Sequence, residues 1–189
     1  MSIQAFTDLF KQIREFSCIA MSKAPEDSVK VSAEFQRRII EIIADEEIDG
    51  SDEGKKCSNA EFAARVGVSK TVISNIATYG ILPSTASLVK IADYTNKSLE
   101  FILAKTEDKD FEKSAHPTTF HVRLLELIRE KGIRIADITN SPNITFSRNS
   151  IHVWLKRKNL PAIEYVFQLA RYFNVSPDYL LGRTDYRHN

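Results

Sequence analysis

Apolar residues recur along this chain at helical spacing rather than in the alternation of strands. From Phe35, the run Phe35-x-x-Arg38-Ile39-Ile40-Glu41-Ile42-Ile43 places apolar side chains at i, i+4, i+5 and i+8, the stripe of an amphipathic helix. The pattern returns at an offset of 85 as Phe120-x-x-Arg123-Leu124-Leu125-Glu126-Leu127-Ile128. Downstream, residues 69–106 align with residues 147–184 at an offset of 78 without a gap, and ten of the 38 positions are identical, among them Ile73/Ile151, Leu82/Leu160, Pro83/Pro161 and Asn96/Asn174. The change of offset gives the first unit seven more residues, most of them in the turn-rich Asp49-Gly50-Ser51-Asp52-Glu53-Gly54. The pattern therefore predicts an all-α protein of two tandem five-helix units over 30–108 and 117–186, joined by Lys109–Pro117. Residues 1–29 form a preceding segment, with Phe6, Leu9, Phe10, Ile13, Phe16 and Ile19 on one helical stripe opposite Lys11, Arg14 and Glu15.

The 189 residues are 43% hydrophobic and 27% charged, which excludes collagen-like, long disordered and disulfide-scaffold chains. The longest uncharged apolar stretches, Ser17–Ser22 and Ile81–Val89, fall short of the roughly 18 residues a membrane span needs. The N-terminal residues interleave charge with apolar side chains, so no signal peptide is expected, and a reducing cytoplasm is the expected location. Cys18 and Cys57 have neither the number nor the spacing of a metal site or disulfide framework, and His116, His121, His152 and His188 lack ligand spacing. No cofactor and no small-molecule ligand is expected. The net charge of +1 hides an asymmetry: residues 25–110 carry 11 basic and 16 acidic groups, and residues 111–189 carry 12 and seven. The C-terminal part is thus suited to a polyanion.

Ser58 with Glu61 three residues later is a capping box opening a short helix, Asn59–Val66, and Gly67 ends it. Ser69 caps the next helix, in which Val72, Ile73 and Ile76 face inward while Lys70, Thr71, Ser74, Asn75 and Thr78 face out. Two short helices across a three-residue glycine turn are a helix-turn-helix, whose second helix reads the major groove of double-stranded DNA while the first crosses the phosphate backbone. Hydroxyls and the Asn75 amide suit base edges or phosphates, and Lys55, Lys56, Arg65 and Lys70 suit phosphates. The candidate DNA-contacting set here is Lys56, Ser58, Asn59, Ser69, Lys70, Thr71, Ser74, Asn75 and Thr78. The segment Asn59-Ala60-Glu61-Phe62-Ala63-Ala64-Arg65-Val66-Gly67-Val68-Ser69-Lys70-Thr71-Val72-Ile73-Ser74 resembles the core of phage repressor and Cro-like (Xre-type) domains. The stretch 169–185, ending Asp178-Tyr179-Leu180-Leu181-Gly182-Arg183-Thr184-Asp185, resembles their closing helices. The resemblance implies five-helix units, sequence-specific DNA binding and transcriptional control, usually repression.

The second unit departs from the pattern at its turn. Ala136 takes the role of Ala63 but lies 11 residues before Ser147 where Ala63 lies six before Ser69, so five extra residues within Asn140–Phe146 enlarge the turn. Val153 replaces Asn75. Against this, Ser147, Arg148, Asn149, His152 and Lys156, followed by Arg157 and Lys158, form a second candidate DNA-contacting set. Trp154 aligns with Ile76 and is expected in the core. The N-terminal stripe has two destinations: packing on the first unit, or pairing with its counterpart in a homodimer. The competing functional class is a protein-interaction or antitoxin-like module in which one or both units no longer bind DNA. No phosphate-binding glycine loop, metal motif or nucleophile elbow is present, so no catalysis is expected.

Overall fold

In a computed structural model that describes residues 31–46 and 57–188, the described chain is helical, with a single isolated bridge between Val31 and Ile81. The helices fall into two runs of five. The first run is α1 (Ala33–Asp45), α2 (Asn59–Val66), α3 (Lys70–Tyr79), α4 (Thr85–Thr95) and α5 (Leu99–Ile102). The second is α6 (Phe120–Lys131), α7 (Ile135–Thr139), α8 (Arg148–Arg157), α9 (Ile163–Phe173) and α10 (Pro177–Leu180). The N-terminal stripe, Cys18 and the loop at 49–54 lie outside the described residues.

Most helices start where a hydroxyl can satisfy a backbone N–H that has no helical partner. Ser32, Ser58, Ser69, Ser84, Ser98, Thr119, Ser147 and Ser176 each accept from an N–H three residues on. Several end in the left-handed region at corresponding places: Asn96 and Asn174 close α4 and α9, and Gly80 and Lys158 close α3 and α8. The opening helices bury Phe35, Ile39 and Ile43, and Phe120, Leu124 and Leu127. Ile40 and Leu125, counted above as part of the stripe, are 46% and 45% exposed instead. At about 100° per residue, i+5 lies about 140° from position i, beyond the face that i, i+4 and i+8 share. Each run also holds a guanidinium over an aromatic ring, buried at Arg38 and half-buried at Arg123. Arg38 sits 4.2 Å above Phe101, and Arg123 sits 4.2 Å above Tyr179.

The two runs share one apolar core, and α5 packs against α10. Thr85 donates its hydroxyl to the Pro161 carbonyl at 2.6 Å in a buried position. The Leu99 N–H donates to Asp178 Oδ2 at 2.9 Å. Arg183 joins Asp178, donates from Nε to Asp93 Oδ1 at 2.8 Å and from Nη2 to the Lys97 carbonyl at 2.9 Å. Burial pushes the Asp178 carboxyl above the usual aspartate range, and Arg183 and the Leu99 N–H draw it back. Residues 106–119 are irregular, and they are tied down: Lys113 reaches the Asp93 carbonyl at 2.6 Å, and the Ser114 and Thr118 N–H groups donate to the Arg183 and Gly182 carbonyls at 2.8 and 3.2 Å.

Gly80 joins the end of α3 to the start of α1. Its φ is 65°, its carbonyl accepts from the Ser32 N–H at 3.0 Å, and a Cβ there would lie 2.8 Å from the Ser32 carbonyl oxygen. Gly80→Ala combines left-handed strain with a backbone clash and should cost about 2 kcal/mol. Thermal melting should register this as a Tm lowered by about 4–8 °C, and an unchanged Tm would contradict the close approach.

Candidate nucleic-acid interface

The helix-turn-helix of the first run is built from local interactions. Ser58 Oγ accepts from the Glu61 N–H at 3.3 Å and Glu61 Oε2 accepts from the Ser58 N–H at 2.9 Å, completing the capping box. Gly67, at φ 73°, turns the chain, and its N–H and that of Val68 both donate to the Ala63 carbonyl at 3.0 Å. Lys90 Nζ donates to the Gly67 carbonyl at 2.8 Å, so α4 braces the turn from behind. Ser69 Oγ accepts from the Val72 N–H at 3.3 Å and opens α3. Phe62, Ala63, Val66, Ile73 and Ile76 lock the two helices onto the core, with Val72 half-buried at the edge.

On α3 the outward positions form one arc. Lys70, Ser74, Thr78, Thr71 and Asn75 fall in that order over about 140° of the helix, and Ile76 and Ile73 occupy the opposite side. Lys70, Thr71 and Thr78 are exposed, whereas Ser74 and Asn75 are half-buried. Ser58 and Ser69 are exposed but spend their oxygen lone pairs on helix caps, which leaves the hydroxyl proton available for donation. Asn59, the first residue of α2, is half-buried. Lys55 and Lys56 lie outside the described residues.

One expected phosphate ligand is already engaged. Arg65 Nη1 is 3.4 Å from Glu46 Oε2, and the same oxygen accepts from the Tyr94 hydroxyl at 2.8 Å. The Tyr94 hydroxyl bond holds the Arg65 guanidinium above its ordinary pKa, and burial, then Glu46, raises that of Tyr94. This trio ties the end of α1 to α2 and α4, so Arg65, although exposed, is engaged in an ion pair of the fold.

In the second run, α8 repeats the geometry of α3. Arg148, His152, Lys156, Asn149 and Val153 span the same arc, with Ile151 and Trp154 on the inner side. Arg148, Asn149, His152 and Lys156 are exposed, Arg157 and Lys158 follow exposed at the helix end, and Val153 is half-buried. Ser147 is exposed and caps the helix by accepting from the Ser150 N–H at 3.4 Å. Trp154 is 7% exposed, in the core as expected. Before α8 the connection runs eight residues, 140–147, against the three of Gly67–Ser69. The longer turn is packed rather than splayed. Ile144 and Phe146 are buried, the Phe146 ring lies 5.0 Å from Trp154 and 5.2 Å from Tyr165 between centroids, and Gln168 Oε1 accepts from the Thr145 N–H at 2.9 Å. Ala136 does not take the buried role of Ala63. It is half-buried, Ile138 is the buried residue of the five-residue α7, and Ile144 and Phe146 of the longer turn add to the core.

The alternation of Ile144, Thr145 and Phe146 is the sequence signal for this inward packing, with two residues of the enlarged turn buried. Among the described residues no group of three His, Cys, Asp or Glu side chains gathers to hold a metal. No helix there is long and apolar enough to cross a membrane. Compared with known protein families, residues 53–102 match the helix-turn-helix family model, which covers the capping box, the turn, α3, α4 and α5. No curated protein and no solved structure matches the chain.

Proposed function

We propose that the protein is a sequence-specific regulator of transcription, acting as a repressor in the cytoplasm, that binds double-stranded DNA through the α2–α3 helix-turn-helix. The observation that carries this reading is the α3 arc of Lys70, Thr71, Ser74, Asn75 and Thr78, held clear of the core by a capped glycine turn within the block that matches the family model. We read the second run as a second unit of the same type, over 117–186 beside 30–108. Its α8 offers more positive charge and a less selective surface, so it serves chiefly as a phosphate clamp. With both units in one chain, binding by one raises the effective concentration of the other at the adjoining site. Bound at a promoter, the protein would act by steric exclusion, and no catalytic step is part of the proposal.

Two classes of substitution on α3 separate reading from clamping. Ser74→Ala and Asn75→Ala should each weaken binding to the selected site by about 1–3 kcal/mol while leaving random duplex nearly unchanged. Lys70→Ala should weaken both and reduce the slope of log affinity against log salt by about one. Selection from a random-sequence duplex library, followed by titration at two salt concentrations, makes the comparison. Equal loss on selected and random DNA for Asn75→Ala would remove base reading from α3. The competing reading, a protein-interaction or antitoxin-like module, draws on the internal pairing of Arg65 with Glu46 and the excess of acidic groups over 25–110. It would lead if the intact chain bound no duplex even at low salt.

A further inference from the structure

An open groove of about 550 Å³ lies between the two runs, lined on one side by Val31, Phe35, Leu82, Leu103 and Lys105 and on the other by Ile163, Phe167 and Arg171 of α9. Its counterpart in the internal repeat is already filled. Shifted by the repeat offset of 78, Lys105 corresponds to Arg183, Arg171 to Asp93 and Leu103 to Leu181. At that second place the chain leading into α6 covers the surface. The Phe111 ring lies 4.5 Å beneath the Arg183 guanidinium, Lys113 bonds the Asp93 carbonyl, and the buried Ser114 bonds the Arg183 carbonyl.

The opening helices align at an offset of 85, so Phe111–Ser114 correspond to Glu26–Val29. The charges exchange accordingly. The filled groove sets Arg183 against Asp93 at 2.8 Å. The open one sets Lys105, 4.6 Å from the Phe167 ring, beside Arg171, with Glu164 on the same wall, so it holds two cations and one carboxylate where its counterpart has one of each. The chain immediately before Val31 reads Ala24-Pro25-Glu26-Asp27-Ser28-Val29-Lys30, with two adjacent carboxylates and one β-branched apolar residue. At about 3.3 Å per residue, Asp27 can lie up to about 13 Å from Val31, within reach of a groove that Val31 itself lines.

We propose that residues 24–30 dock in this groove as an internal brace, with Val29 against Leu103 and Ile163 and with Glu26 and Asp27 facing Lys105 and Arg171. The brace ties α1 of the first run to α9 of the second and so holds the outward faces of α3 and α8 at a set spacing, independently of whether DNA is bound.

The test is a charge-exchange cycle in the full chain, read by thermal melting, with methyl NMR as a second measurement. Glu26→Arg with Asp27→Arg should lower Tm by about 2–4 °C, and Arg171→Glu alone should do the same. The combined variant should recover at least half of the summed loss, because the exchanged charges again attract. Val29→Ala should shift the methyl resonances of Leu103 and Ile163. Additive Tm losses, or methyl resonances that do not move, would overturn the brace. A Tm recovery that appears only as protein concentration rises would also overturn it, by assigning the groove to the segment of a second copy. Neither readout involves DNA, so failure here is distinct from failure of the DNA-binding reading.

Discussion

Asp178→Ala should destabilise the protein by roughly 3–5 kcal/mol and lower its Tm by at least about 6 °C. Asp178 is 0% exposed, and the Arg183 side chain it pairs with is 5% exposed. Removing the carboxylate leaves a guanidinium inside the core with its largest compensating charge gone, and also strips the acceptor from the Leu99 N–H. Asp93 and the Lys97 carbonyl still hold part of Arg183, which keeps the loss from being larger. Replacing both members, Asp178→Ala with Arg183→Met, should cost less than Asp178→Ala alone, because no uncompensated charge then stays buried. Urea and thermal unfolding of the two variants make the comparison. A double variant less stable than Asp178→Ala would contradict this account. The α5–α10 contact joins the two runs, so Asp178→Ala should also reduce any gain in DNA affinity of the whole chain over a single unit.

The second large effect concerns α8. Neutralising its end, with Lys156→Gln, Arg157→Gln and Lys158→Gln together, should lower DNA affinity on the order of 10- to 100-fold at low salt. It should reduce the salt slope by about 2 to 3 units, since each phosphate contact contributes about 0.9. The loss should be alike on selected and random duplex, because these side chains stand at the end of the helix and offer charge rather than a patterned set of donors and acceptors. Stability should not fall. All three are exposed, and Lys158 adopts φ 56°, where the corresponding residue of the first run is Gly80. A preference for the selected sequence that drops along with the affinity would mean that α8 reads bases.

The helix-turn-helix was legible to the residue, because its boundaries depend on neighbours a few positions apart. Ser58, Glu61, Gly67 and Ser69 set the limits of α2 and the start of α3, and the structure keeps both. The all-helical class was legible from the stripes for the same reason. Interactions across many residues were not. Arg65 reads as a surface cation until Glu46, 19 residues away, and Tyr94 are brought beside it. Asp178 reads as an acidic residue in the first turn of a helix, an ordinary and exposed position, and only the docking of α5 on α10 buries it. The enlarged turn of the second run was visible as an insertion. Its inward Ile144 and Phe146 were not assigned, since three alternating residues between short helices carry little periodicity.

The bond from the Leu99 N–H to Asp178 spans 79 residues of sequence, and that separation orders events in time. During synthesis the first five helices are complete once the chain has passed Ile102, but the opening turn of α5 has to wait for its carboxylate until α10 has been made. At about 5–20 residues per second, that interval lasts roughly 4–16 s. Throughout it, α5 presents to solvent or to chaperones the surface that α10 will later cover. Maturation of the first half is thus clocked by translation of the second, and a ribosome stalled within 103–177 would hold a nascent chain whose helix-turn-helix is already made while its supporting contact is not.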